Sequence, residues 1–443
     1  MKIRSLQQVC HDFNKVPAIQ YLAALLSARQ QCFLVGGAIR DMFLGRPCND
    51  FDFVTPFDPT RLAQALARHL SGSWFFLDEN RRQSRVIVSR NNSELICDFG
   101  TLRASSLFSD LSLRDFKINA FAIHIRSDIC PADFYDPLNG LSDLRLRQLS
   151  TCSESVLGND PLRVLKGVRH CKILQLVPTE KTIEAMRAAV PMLQHVAEER
   201  VRKEIGLLFK ESEPDISLQW LQETGSAQII FGEWVGTGAF ANIIKCLKTF
   251  DGNILKFKRS VHANTFVDIL QEEFEDGFSR QAALALGVIL QGRPISEVQR
   301  VIGRLKLSRM TSRALLGYCA LSSSKITELK GLKCGFRGRY WWVSGLGFDP
   351  VGCLILLAFN TSEYSPELAM HVLFLVKEYT CAGVLADLVD GHWLCQHLEM
   401  KPGPRVGEAL HALRCEEISG TVNSPEQAQE FLRAWFKNSI DNT

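Results

Sequence analysis

The spacing of apolar and polar positions changes rhythm once along the chain. In the first 150 residues, short apolar or alternating runs recur: "FLVGG", "DFDFV", "RVIVSR", "LICDFG" and "AFAIHI". Runs of this length and period predict β-strands. Between them "TRLAQALARHL" carries apolar residues at helical spacing and predicts an amphipathic helix. The rhythm shifts near "LSTCSESVLGNDPLRVLKG". From Asp160 onward the helical period dominates, in "PLRVLKGVRHCKILQ", "TEKTIEAMRAAVPMLQHV", "ERVRKEIGLLFK", "RQAALALGVILQG", "ISEVQRVIGRLKL" and "MTSRALLGYCALS". Gly- and Pro-bearing breaks fall at "GEWVGTGAFAN", "GLKCGFRGR" and "EMKPGPRVGEAL". The pattern predicts an α+β chain: an N-terminal head of mixed strand and helix over residues 1–150, then a helical remainder.

Composition narrows the class. The chain has 443 residues, 46% hydrophobic and 22% charged, as in ordinary globular proteins. A net charge of +3 permits a nucleic-acid partner without requiring one, so any basic surface must be local. The 14 cysteines form no C-x-x-C pair and read as reduced, mostly buried thiols. The N-terminus "MKIRSLQQVCHDF" lacks the apolar stretch of an export signal, and no uncharged apolar run approaches the roughly 18 residues that span a bilayer. The expectation is a cytoplasmic protein with no membrane association.

The candidate chemistry begins at "FLVGGAIRDMFLGRPCNDFDFVTP". Asp50 and Asp52 are two apart on a predicted strand, so both carboxylates leave the same face. Carboxylates that close resist joint ionisation, and a divalent cation with a preference for oxygen donors, such as Mg²⁺, relieves the conflict. Asp98 in "ELICDFG" is a third candidate, and three converging carboxylates suit two-metal phosphoryl transfer. Upstream, Gly36 and Gly37 join a strand to a helix, where backbone N–H groups can approach an anion and Arg40 can add a charged fork. The stretch matches neither the Walker nor the dinucleotide-binding glycine pattern.

With its neighbours this stretch resembles the class II tRNA nucleotidyltransferase and bacterial poly(A) polymerase family, within the DNA polymerase beta superfamily. "LVGGAIRDMFLGRPCNDFDFVT" is followed in family order by "LRDFKINAFAI", "YDPLNGLSDLRLRQLST", "NDPLRVLKGVRH" and "EERVRKEI", and the segment from Leu388 resembles the tail of tRNA-acting members. The resemblance implies a catalytic head with a mixed sheet (1–150), a base-reading neck (151–215), a helical body (216–330) and an RNA-binding tail (331–443). It implies transfer of C or A from CTP or ATP to the 3′ end of tRNA, with release of pyrophosphate and two Mg²⁺ ions. Asp50 and Asp52 would bind the metals, with Asp98 as third catalytic carboxylate. Gly36, Gly37 and Arg40 would hold the triphosphate. Arg114, Asp115 and Asn119 would contact the ribose and phosphates. Asp160 and Arg163 would read the base, with Lys166 and Arg169 close to the nucleotide. Arg200 and Glu204 would brace the base-reading helix. No protein partner is expected.

The base-reading pair has its own logic. Asp160 and Arg163 are three apart on a predicted helix, so they share a face. A carboxylate only accepts hydrogen bonds and a guanidinium only donates. Cytosine and adenine present an amino donor beside a ring-nitrogen acceptor; uracil and guanine present the reverse. One Asp/Arg pair therefore accepts C and A and rejects the others, because each mismatch strands buried polar groups.

Four departures from the family pattern stand out. Leu113 replaces an arginine, Asn159 replaces an acid at the expected helix start, and Lys117 replaces a threonine. The fourth is that 15 residues, "FGTLRASSLFSDLSL", separate Asp98 from Arg114. Full CCA-adding members carry a longer loop there, so the short link suggests CC addition. The alternatives are a poly(A) polymerase of the same family and a catalytically inactive RNA-binding relative. Intact Asp50, Asp52, Arg114, Asp160 and Arg163 argue against the latter. For RNA contact, residues 160–210 hold 10 Lys/Arg against 6 Asp/Glu. "KGLKCGFRGRYWW" interleaves Lys330, Lys333, Arg337 and Arg339 with aromatics, which reads either as a nucleic-acid patch or, preferably, as a solvated loop before a packed aromatic helix. The helical part carries no His-Asp phosphohydrolase signature.

Overall fold

The computed structural model describes residues 3–27, 29–90, 93–236, 238–260, 264–383, 388–418 and 420–440. The chain divides into two compact units, Met1–Glu204 with Ile216–Glu233, and Ile205–Asp215 with Trp234–Thr443.

The first unit opens with α1 (Leu6–Phe13) and α2 (Pro17–Leu25), then alternates β1 (Phe33–Val35), α3 (Gly37–Phe43), β2 (Asp50–Thr55), α4 (Thr60–Leu70), β3 (Ser73–Asp78), β4 (Gln83–Arg90), β5 (Ser93–Thr101), α5 (Leu107–Ser112), β6 (Ala122–His124), β7 (Phe134–Tyr135) and α6 (Gly140–Leu146). The seven strands form one sheet in the order β3-β4-β5-β2-β1-β6-β7. It is mixed: β2 runs parallel to β5, and the other pairs are antiparallel. All five strands expected from the sequence form. The edge strand β3 was not foreseen, because "SWFFLD" shows no clean alternation of apolar and polar residues.

One face of the sheet is apolar. Phe51, Phe53, Val86, Val88, Cys97 and Phe99 are buried there, with Phe53 stacked on Phe99 at 5.1 Å. Helix α4 packs on β3 and β4, and buries Leu62, Ala63, Leu66, Ala67 and Leu70 as its period predicts. The opposite face splits in two. Toward β1 and β6 it is covered, with Val35, Val54 and Ala122 in one cluster with Leu111 of α5. Toward β5, β4 and β3 it stays open.

After the head, β8 (Gln148–Leu149) pairs in parallel with β9 (Val177–Pro178), a small ladder in a segment otherwise built of α7 (Val156–Asn159), α8 (Leu162–Leu174), α9 (Glu180–Ala189) and α10 (Glu198–Lys210). Helix α10 contributes residues to both compact units.

The second unit is helical throughout its longer elements. Arg280–Leu290 is buried along its whole length. Its first residue is anchored by Asp349, which accepts from Arg280 Nε at 2.9 Å and from the Tyr318 hydroxyl. Among the described residues no helix is long and apolar enough to cross a membrane. None of the 14 cysteines is in a disulfide; six are buried and Cys130, Cys334 and Cys381 exposed, so fewer are buried than their composition suggested.

Candidate active site

Strand β2 turns its alternate residues inward: Phe51 and Phe53 enter the core, and Asp50 and Asp52 leave the opposite face together. The parallel register places Asp98 of β5 directly beside Asp52. All three carboxylates therefore share one face of adjoining strands, about 4.8 Å apart between strands. Asp50 and Asp52 are exposed on the strand face, yet surrounding protein crowds them. This crowding, together with the nearby charge of Asp98, raises the Asp50 carboxyl above its ordinary pKa. The same crowding, with Asp50 and Asp98 adding to it against the opposing Arg114, pushes Asp52 up to about 6.

Arg85 was not singled out from sequence, and it changes the picture of Asp98. It lies opposite Asp98 in the β4–β5 register and donates Nε and Nη2 to the two carboxylate oxygens at 2.7 and 2.8 Å. The register runs back to Arg90 opposite Ser93. Two strand patterns flanking "NN" are a hairpin signal, and counting outward from it would have found the pair. Asp98 thus carries its own counter-ion, and the charge of the Asp50–Asp52 pair is opposed chiefly by Arg114. Among the described residues no group of three or more His, Cys, Asp or Glu side chains forms a ready metal cage. Two co-facing carboxylates on an exposed strand face nonetheless suit Mg²⁺, which keeps several waters and takes its other oxygens from substrate phosphate.

Gly36 and Gly37 differ. Gly36 caps α3 at φ 85°, ψ −142°, and its N–H donates to Phe121 O at 3.2 Å. A Cβ there would lie 3.0 Å from Arg114 Nη1 and 3.3 Å from Asp52 Oδ2. Glycine at this position lets the arginine and the carboxylate close over the backbone. Gly37 begins α3 and lies beneath the Arg40 guanidinium. With only seven residues, α3 contributes modest polarity at its start.

Arg40 heads a buried polar chain. It forks onto Asp41 at 2.9 and 2.8 Å and donates Nη1 to Asn119 Oδ1. Asn119 donates to Asp115 Oδ1 at 2.9 Å and meets His170 Nε2 at 3.2 Å. Asp115 closes the chain on Lys166 Nζ at 2.6 Å. The chain ties the glycine turn, the segment around Asp115 and helix α8 into one unit. Burial opposes ionisation of Asp115, but the Lys166 charge and the hydrogen bonds from Lys166 and Asn119 hold its carboxyl far below the usual range. Burial, reinforced by Arg40, pushes the His170 imidazole well below its ordinary pKa, so it is neutral. His170 gave no sequence signal beyond its helical position.

The short link is ordered. Asp110 is fully buried in α5 and accepts from the Arg103 backbone at 2.9 Å and its Nε at 3.2 Å. Arg114 Nε lies 3.7 Å from Asp110 Oδ2, and that buried nitrogen has no hydrogen-bond partner. Arg114 is therefore held between Asp110 and Asp52 with donor capacity unused, as an anion-binding arginine needs.

The helix argument for Asp160 and Arg163 needs correction. Helix α8 starts at Leu162, and Asp160 stands before it in extended backbone at φ −145°. Pro161 sets this boundary, because the residue before proline is driven out of the helical region. The two side chains do not pair. Asp160 accepts from Arg200 Nη2 at 3.0 Å, and Arg163 Nη1 donates to the carbonyls of Leu113 and Val156 at 3.2 and 3.3 Å. Arg169 donates to Glu204 at 2.9 Å. Both acid–base contacts link the α8 region to α10. Asn159 ends α7 and does not start the following helix.

In the second unit the aromatic helix Phe336–Ser344 is internally engaged. Tyr340 stacks on Tyr379, Trp341 meets His411 edge-on, Trp342 donates to Glu328, and Arg339 pairs with Glu378. Lys330 and Lys333 are exposed. The side chain of Arg337 lies outside the described residues.

A mixed sheet presenting three carboxylates beside a glycine turn and a buried arginine defines the chain as a nucleotidyltransferase. The profile of the poly A polymerase head domain matches residues 32–150, and that of the probable RNA and SrmB-binding site of polymerase A matches residues 176–235. These two matches, with the relatives and solved structures below, support the class II tRNA nucleotidyltransferase and poly(A) polymerase family.

Among its relatives, the CC-adding tRNA nucleotidyltransferase of Geobacter sulfurreducens is 29% identical, with 95% of this chain and 96% of the relative aligned. The A-adding tRNA nucleotidyltransferase of Halalkalibacterium halodurans is 25% identical over 93% of this chain and 90% of the relative. Among solved structures, a CCA-adding enzyme complexed with ATP superposes with TM-score 0.66 at 19% identity, covering 98% of this chain and 99% of that one. The Thermotoga maritima CCA-adding enzyme complexed with tRNA gives TM-score 0.61 at 20% identity over 98% and 100%.

Proposed function

We propose that the protein extends the 3′ end of tRNA with cytidylate from CTP, adding CC and leaving the final A to another enzyme. The observation that carries the reading is the alignment of Asp50, Asp52 and Asp98 on adjoining strands, beside a glycine turn that brings Arg114 against Asp52. The Geobacter sulfurreducens and Synechocystis CC-adding relatives, at 29% and 28% identity, support the choice of product. So does the link from Asp98 to Arg114, which is short and pinned by Asp110 rather than long and free.

In this reading Asp50 and Asp52 hold Mg²⁺, which when bound neutralises the phosphates and activates the attacking hydroxyl. The remaining work falls to the protein's own groups. Gly36 clears space at the turn, and Arg114 offers the guanidinium end that lies over Gly36 to the triphosphate. Arg40, fixed by Asp41 and Asn119, offers the triphosphate the guanidinium N–H groups that those bonds leave over. Asp115 and Asn119 meet the ribose while Lys166 keeps Asp115 ionised. Asp160 and Arg163 face the base by exchanging their present partners, Arg200 and two carbonyls, for its edge. Such an exchange keeps the groups paired in both states, so discrimination against U and G rests on the hydrogen bonds a wrong base leaves unmade. Positioning and charge neutralisation, rather than covalent catalysis, supply the acceleration.

The test is product analysis. Purified protein, tRNA lacking its 3′ end, CTP and ATP should give a product ending in CC. A product carrying full CCA refutes CC-only addition, and preference for a poly(A) primer favours the poly(A) polymerase reading.

A further inference from the structure

The face that carries the catalytic carboxylates is covered on one side and open on the other. Two residues beyond Asp52, on the same face, Val54 is packed under Leu111, together with Val35 and Ala122 of the neighbouring strands. In the other direction the register lines up four residues across four strands: Asp52 on β2, Asp98 on β5, Arg85 on β4 and Phe75 on β3. At about 4.8 Å per strand the row spans roughly 14 Å. It ends at exposed apolar groups on an edge strand, Phe75 at 42% and Leu77 at 48% exposure. On β3 the alternate positions Trp74 and Phe76 are more protected and pack edge-on against each other at 4.9 Å. Phe75 and Leu77 are exposed, on the side where the described residues of β3, β4 and β5 that flank the row are only partly buried or exposed.

We propose that this open row is the track of the primer's unpaired 3′ end, with Phe75 stacking on a base and Arg85 meeting the backbone phosphate. The inference rests on the proposed nucleotidyl transfer to an RNA 3′-hydroxyl. That hydroxyl must reach Asp50 and Asp52, and the strand behind it must leave along some surface. The covered half excludes one direction, and the buried chain from Arg40 to Lys166 occupies the side of the glycine turn. The open half supplies what single-stranded RNA takes: an aromatic face for a base and a guanidinium for a phosphate. The Arg85 fork onto Asp98 uses Nε and Nη2, so Nη1 stands outside the pair, and Arg85 acts as a positioning residue that links primer arrival to the third carboxylate. A second copy of the chain would also cover Phe75 and Leu77, but the continuity of the row with the carboxylates favours the primer.

The test uses the full chain and a labelled tRNA-like hairpin whose 3′ end carries a few unpaired nucleotides, beside a blunt hairpin lacking them. Phe75→Ala should weaken binding of the overhang RNA, and raise its KM, by about 5- to 100-fold. The KM for CTP and binding of the blunt hairpin should stay unchanged, and Phe75→Trp should restore overhang binding. An active enzyme indifferent to Phe75→Ala overturns the track alone. So does an equal loss on blunt RNA, or a change of oligomeric state in the variant. A wild-type chain that neither binds nor extends the overhang RNA overturns the underlying reading and the track with it.

Discussion

Adjacent glycines at 36 and 37 offer a sharp test, because they look equivalent in sequence and are unlike in structure. Gly36 sits at φ 85°, where an L-residue is strained, and a Cβ would press on Arg114 Nη1 at 3.0 Å and Asp52 Oδ2 at 3.3 Å. Backbone strain of this kind costs about 1–3 kcal/mol. For a unit near 200 residues each kcal/mol is worth about 2–4 °C in Tm, so Gly36→Ala should melt about 2–12 °C lower. Gly37 has no positive φ, and its Cβ would meet only the flexible end of Arg40 at 3.3 Å. Gly37→Ala also removes unfolded-state freedom, worth about 0.4–1 kcal/mol in favour of the fold. Its Tm should match wild type or rise by up to about 4 °C. Thermal unfolding followed by fluorescence measures both, and nucleotide incorporation measured alongside should fall steeply for Gly36→Ala, since Arg114 and Asp52 must both move. Equal melting temperatures for the two variants would refute the conformational reasoning.

Other outcomes follow from the same geometry. The double substitution Asp50→Ala, Asp52→Ala should abolish incorporation in a gel-based extension assay while RNA binding persists; retained activity would refute the metal assignment. His170 is buried and neutral in the fold but protonates near pH 6.5 when unfolded, so the unfolded state gains protons and stability falls as pH drops below about 6.5. Denaturant titrations between pH 5 and 7.5, an interval set by that pKa, should show this slope reduced in His170→Gln, and an unchanged slope would count against the burial argument. A Cβ at Gly140 would fall 2.1 Å from the Lys117 carbonyl oxygen, an overlap with backbone that cannot give way, so Gly140→Ala should express poorly or melt many degrees lower. RNA affinity should fall linearly on a log–log plot against salt, whereas flat affinity would argue against a backbone-driven interface.

What the sequence by itself determined was local. Alternation and helical period carried the strands, α4 and the main helices, because one buried face imposes its period on the chain. The i, i+2 spacing placed Asp50 and Asp52 on one face for the same reason. Tertiary structure decided what depends on partners distant in the chain. The parallel pairing of β2 with β5 brings Asp98 beside Asp52, the buried chain joins Arg40 to Lys166 through Asn119 and Asp115, and the Arg85 fork neutralises Asp98. Asp160 shows the limit of reasoning from spacing alone. Its separation of three from Arg163 suggested one helical face, but Pro161 starts the helix too late to include it, and its carboxylate turns to Arg200. Periodicity records which face a residue takes within an element, whereas the partner a charge finds depends on how elements fold onto one another.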